Sequence, residues 1–132
     1  MIRPSRILAA PLLAAPLLAA LPTQAESLLP SGLEVTPHDI LIEQQPGGER
    51  WLVMRYLAPG IAGGALPYAA VAADLDYLCA EEGLARAAAE GGGFAQVVIV
   101  LMDRPVPRGS ADPEATQFIG AYVPQAGECL WD

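Results

Sequence analysis

The stretch Phe94-Ala95-Gln96-Val97-Val98-Ile99-Val100-Leu101-Met102 decides how this chain folds. From Val97 onward it is an unbroken apolar run rich in β-branched residues, with Gly91-Gly92-Gly93 before it and Asp103-Arg104-Pro105 after it. A strand with one wet face alternates polar and apolar residues, whereas a continuous run marks a strand buried on both faces. The flanking glycines and proline argue against a buried helix. The run is therefore expected to be the central strand, covered by a helix on at least one side. It is scaffold and carries no chemistry of its own.

Working outward toward the N-terminus, Pro67 suits the first turn of a helix. Val71, Leu75, Leu78 and Cys79 then fall at i, i+4, i+7 and i+8, an apolar stripe at helical period. Gly83 is expected to end this helix as a left-handed C′ residue, with Leu84 folded back over Cys79. Residues 85–90 add a short second helical piece.

Further upstream, residues 50–58 predict a strand with Trp51, Val53, Arg55 and Leu57 on one face and Leu52, Met54 and Tyr56 on the other. Pro46-Gly47-Gly48-Glu49 is a turn signal that joins it to an antiparallel neighbour within residues 33–45. Pro37 should break that neighbour and leave residues 39–44 as its better half. Residues 26–32 are expected to be a mobile entry segment. The helix-containing connection from residues 50–58 to the central strand predicts a parallel pair.

Downstream, Asp112-Pro113-Glu114-Ala115 resembles a helix start, with Asp as N-cap and Pro at N1. Such a helix would turn Phe118, Ile119 and Tyr122 inward. A strand over residues 116–123 competes with it, and Gly120 weakens both. Residues 128–131 make a short last strand. The expected fold is α+β: a small mixed sheet of about four strands, ordered hairpin, helix, central strand, short helix and C-terminal strand, covered by the main helix.

The first 25 residues have the form of a secretory signal. Arg3 and Arg6 give a positive start, and residues 7–21 are apolar with a tandem Pro-Leu-Leu-Ala-Ala repeat. Thr23-Gln24-Ala25 offers small residues for cleavage after Ala25. An uncleaved anchor is disfavoured, because about 20 apolar residues are needed to span a bilayer and Pro11 and Pro16 interrupt the run. The expected organisation is a cleaved signal, residues 1–25, and one small globular domain, residues 26–132, periplasmic or secreted and with no stable membrane anchor after cleavage.

Loss of the two signal arginines moves the formal charge from −8 to −10, in a chain whose basic residues are all arginine. Such acidity repels nucleic acid and anionic lipid. Cys79 and Cys129 are the only cysteines. In an exported chain two such thiols are expected to form one structural disulfide. Closing a 50-residue loop stabilises a fold by about 4 kcal/mol in the chain-entropy model. A redox pair would want a Cys-x-x-Cys spacing and a basic neighbour, and neither is present.

Chemistry is sparsely signalled. His38 is the only histidine and lacks a second positioned partner for acid–base work. Asp74-Leu75-Asp76 and Glu81-Glu82 fit a solvated helix face better than a metal site, since i and i+2 on a helix diverge. The glycine run precedes a strand, the wrong order for a phosphate-cradling loop. No cofactor and no metal is implied. The remaining candidate is the segment from Asp103 to Asp112, which leaves the end of the central strand, where sites gather in sheets with parallel strands. Asp103, Arg104, Arg108 and Asp112 are its candidate binding residues.

The strings Asp103-Arg104-Pro105-Val106, Ala111-Asp112-Pro113-Glu114-Ala115-Thr116-Gln117-Phe118, Cys129-Leu130-Trp131 and Asp76-Tyr77-Leu78-Cys79 resemble a domain-of-unknown-function family of short exported bacterial proteins. The resemblance implies no activity and no site residues. Some relatives carry an acetolactate synthase label, which this chain does not fit: it is far too short for a thiamine-diphosphate enzyme and lacks the Gly-Asp-Gly motif that anchors the cofactor's magnesium. The residues leave two functional readings. The first is a non-catalytic binding or interaction protein with a protein or small-molecule partner. The alternative is a small periplasmic hydrolase-like enzyme using the acidic residues after the central strand.

Overall fold

A computed structural model describes residues 27–132 together with 2, 4, 5 and 9–17. Arg3 and Arg6 of the expected signal and its expected cleavage point after Ala25 lie outside the described residues. Residues 9–17 form neither helix nor strand, and their side chains are exposed. No helix among the described residues is long and apolar enough to cross a membrane.

The fold is α+β. Six strands, β1 (Ser27–Leu28), β2 (Glu34–Gln44), β3 (Arg50–Leu57), β4 (Gln96–Met102), β5 (Gln117–Gln125) and β6 (Glu128–Trp131), lie in one sheet in sequence order. All neighbours are antiparallel except β3 and β4, which pair parallel across the helical connection. That connection holds α1 (Tyr68–Leu78), a π turn (Cys79–Gly83) and α2 (Leu84–Ala89).

β4 is the centre, as its composition requires. Val97 through Met102 are all buried, alternating between two apolar clusters on opposite faces of the sheet. Burying each such side chain contributes about 2 kcal/mol. On the helix face, Val97, Ile99 and Leu101 meet Leu52, Met54 and Tyr56 of β3 and Val71, Leu75 and Leu78 of α1. The expected stripe is therefore the packing seam. Cys79 and Cys129 are bonded, tying the π turn to β6.

Four expectations need correction. The sheet has more than about four strands, partly because the segment after Asp112 is the strand β5 and not a helix. Asp112 does accept the Glu114 N–H at 3.0 Å, and Ala115 N–H bonds the Asp112 carbonyl at 3.1 Å. That is an isolated turn with the local geometry of a helix cap. Beyond the turn the chain alternates, with Phe118, Gly120 and Tyr122 opposite Leu101, Ile99 and Val97. Gly120 leaves room for the Tyr122 side chain, whose hydroxyl oxygen a Cβ there would meet at 2.8 Å.

Gly83 is not a left-handed cap. Its φ is −62°, and the helix runs through it into α2. It is glycine because the helix presses on β4: a Cβ would stand 2.9 Å from Val97 Cγ1. The wide π turn takes up an extra residue, so Cys79, Gly83 and Ala87 all stay on the buried side.

Pro37 does not break β2, because a register shift between Pro37 and Asp39 absorbs it. The entry segment is anchored from Ser27 onward. Ser27 and Leu28 pair with Val35 and Glu34, Leu29 is buried, and Ser31 bonds the helix.

Candidate functional site

The predicted site residues lie in one loop, residues 103–116, which leaves β4 and folds back over the sheet face that the helix does not cover. This strap places Val106 on the second apolar cluster, with Val53, Val98, Val100 and Met102. Prolines 105 and 107 keep it extended.

Three polar contacts hold the strap. At its base, Asp103 N–H bonds the Thr116 carbonyl at 3.1 Å, and the Asp103 carboxylate accepts the Thr116 N–H at 2.7 Å. In its middle, Arg55 on β3 donates to the Val106 carbonyl at 2.5 Å, while Asp39 on β2 takes two more of its N–H groups at 2.7 and 2.5 Å. Near its tip, Arg108 donates to both oxygens of Glu43 at 2.9 and 3.0 Å. Such bidentate pairs fix geometry as well as charge.

The charges are tuned by these pairs. Hydrogen bonding from Arg55 outweighs burial and holds the Asp39 carboxyl below its usual value, while Asp39 raises Arg55. Arg108 lowers Glu43 in the same way. Burial works against the charge on Asp103, yet the Thr116 N–H and Arg104 prevail and lower its pKa. The Asp103 bond raises Arg104.

The four predicted residues do not converge on one point. Asp103 and Arg104 pair with each other at 2.9 Å, and Glu114 stands 3.8 Å from Arg104. The Asp103 side chain is only 2 % exposed, and each of its oxygens has a donor. Asp112 shapes its turn. Arg108 alone reaches a cavity, of about 310 Å3, which it lines with Arg55, Val100, Ser110, Gln117 and Ile119. Asp39, Glu43 and Arg55, which organise this surface, were not among the sequence candidates. The available signal was Arg55 itself, a charge among the inward positions Trp51, Val53 and Leu57, which demands a buried partner.

The helix acids also depart from expectation. Asp74 is 0 % exposed and accepts the Ser31 N–H at 2.9 Å and hydroxyl at 2.5 Å. Asp76 accepts the Tyr122 hydroxyl at 2.8 Å, and Glu82 accepts that of Tyr56. Burial first, then the neighbouring carboxylate, pushes both tyrosines far above their ordinary pKa. His38 lies at the surface, its Nε2 3.9 Å from Asp39.

A second, mostly apolar cavity of about 380 Å3 lies between α2 and the β5–β6 turn, with Leu84, Ala87, Phe94 and Pro124 in its wall. Its polar edge is largely backbone, and it presents no ionisable side chain.

A family model described as a family of unknown function (DUF6497) matches residues 12–132. No curated protein and no solved structure matches the chain.

Proposed function

The chain belongs to this family of unknown function, and on that premise we propose that it is an exported domain that works by binding, with the strap and the cavity beneath it as its ligand surface. One observation carries the reading. Asp103, Arg104 and Arg108 of the strap are engaged with one another or with β2, and the strap's most sequestered carboxylate, Asp103, serves the Thr116 N–H and Arg104. A general acid or base must reach the proton it moves. What the cavity offers an incoming molecule is shape, the apolar Val100 and Ile119, and polar contacts from Arg108, Ser110 and Gln117.

Export is supported by the signal-like first 25 residues and by a disulfide suited to an oxidising compartment. Intact mass of the chain recovered outside the cytoplasm should start at Glu26 and show no free thiol. Recovery only in the cytoplasm, with residues 1–25 retained, would remove the export half of the proposal. For the binding half, wild-type and Arg108→Ala baits are exposed to an exported-protein extract and its small molecules. Wild type should retain a partner that Arg108→Ala loses, and identical captures would take the strap out of the binding surface.

A further inference from the structure

β1 covers only Glu34 and Val35 of β2. Among the described residues, no strand lies beside the outer edge of β2 from Thr36 to Gln44. Exposed edges template pairing with another chain unless charge, proline or a bulge blunts them. Here proline and bulge are confined to one end, at Pro37. Toward the other end stands the sequence Asp39-Ile40-Leu41-Ile42-Glu43. Ile40 and Ile42 point to the helix face of the sheet but lie beyond the helix, 37 % and 46 % exposed. The chain has no lysine to guard this edge, since its basic residues are all arginine. The two carboxylates that would repel a second edge are neutralised from within, Asp39 by Arg55 and Glu43 by Arg108.

We propose that this edge joins two copies of the chain, antiparallel, with Leu41 on the twofold axis. A twofold contact must be self-complementary, with residue i meeting j and j meeting i. Centring on Leu41 meets that condition. Ile40 stands opposite Ile42 of the second copy, twice, so four isoleucines cluster on one face. On the other face Asp39 of each copy stands opposite Glu43 of the other, like charges whose repulsion is relieved because each is paired within its own copy, Asp39 with Arg55 and Glu43 with Arg108. Shifting the axis to Ile40 or Ile42 places isoleucine opposite His38 or Gln44 and breaks up the isoleucine cluster. The strands continue one sheet through both copies, and the contact closes at two.

Sedimentation equilibrium on the purified disulfide-intact chain tests this. The mass should rise with concentration from one chain to two and stop there. Ile42→Lys should hold it at one chain, with an unchanged circular dichroism spectrum and an intact disulfide. Leu130→Lys, on the strand at the opposite edge, should leave the dimer in place. Hydrogen exchange should show the outward-facing amides of residues 38–44, those not bonded to β3, protected in the dimer and exchanging faster in Ile42→Lys. A single-chain mass throughout, growth beyond two chains, or a dimer indifferent to Ile42→Lys but lost in Leu130→Lys would each overturn the proposal.

Discussion

On one face of the sheet, Leu52, Met54, Val97, Ile99 and Leu101 pack under a helix that is covalently tied to β6. On the other, Val53, Val98, Val100 and Met102 lie under a loop held by arginines. The first face is secured by area and one bond, and its polar groups are hydroxyls donating to acids: Ser31 to Asp74, Tyr122 to Asp76, Tyr56 to Glu82. The second is secured by geometry, because guanidiniums must find particular oxygens. A molecule built this way has a stiff side and a side whose cover is removable by chemistry that leaves the core intact.

The largest effect should come from the stiff side. Replacing both Cys79 and Cys129 by serine should cost about 4 kcal/mol in chemical denaturation. A loss near zero would mean that packing alone holds the helix to β6, and the distinction between the faces would narrow. Next, Arg55→Met should cost about 3 kcal/mol, the usual penalty for stranding the partners of a buried charge, here Asp39 and the Val106 carbonyl. It should also speed tryptic cleavage after Arg108, the strap's accessible basic site, since Arg104 is followed by proline. Unchanged cleavage would show that the strap does not depend on Arg55.

The smallest effect separates the faces by pH. Asp39, Glu43 and Asp103 have folded pKa values below their unfolded ones. Their contribution is full above the unfolded values and fades as the pH falls below about 4. For a pair as accessible as Glu43–Arg108 that is about 1 kcal/mol or less. Tyr56 and Tyr122 have raised values, so the stability they carry is full below pH 10 and lost as the pH climbs beyond it. Acid should therefore loosen the strap first and alkali the helix face first. Hydrogen exchange with peptide-level mass readout at the two extremes reads which side opens, and the reverse order would contradict the assignment.

Sequence reading succeeded where the signal was local or periodic. The run from Val97 to Met102, the stripe through Val71, Leu75 and Leu78, the alternating faces of β3 and the cysteine pair each announce their structure within a few residues or by elimination. It failed where the deciding partner is remote. The Asp112 turn begins as a helix cap would, and only pairing with β4 makes a strand of residues 117–125. Gly83 looks like a terminator until Val97 is seen against it. The strap's anchors join residues 65 and 51 apart in sequence, Arg108 with Glu43 and Val106 with Arg55. Nothing in the spacing of those residues foretells that they meet. Asp74 reads as a surface acid in a helix until Ser31, 43 residues before it, comes to rest on its carboxylate.

Because the bond from Cys79 to Cys129 encloses everything between them, β4, the strap and β5 all belong to one covalent ring. A protease that cuts the strap once opens this ring without releasing a fragment, and the two pieces travel as one molecule until the disulfide is reduced. The cover of one face can thus lose its continuity while β3, β4 and the helix keep theirs. Such a cut is invisible in non-reducing gels and plain in reducing ones.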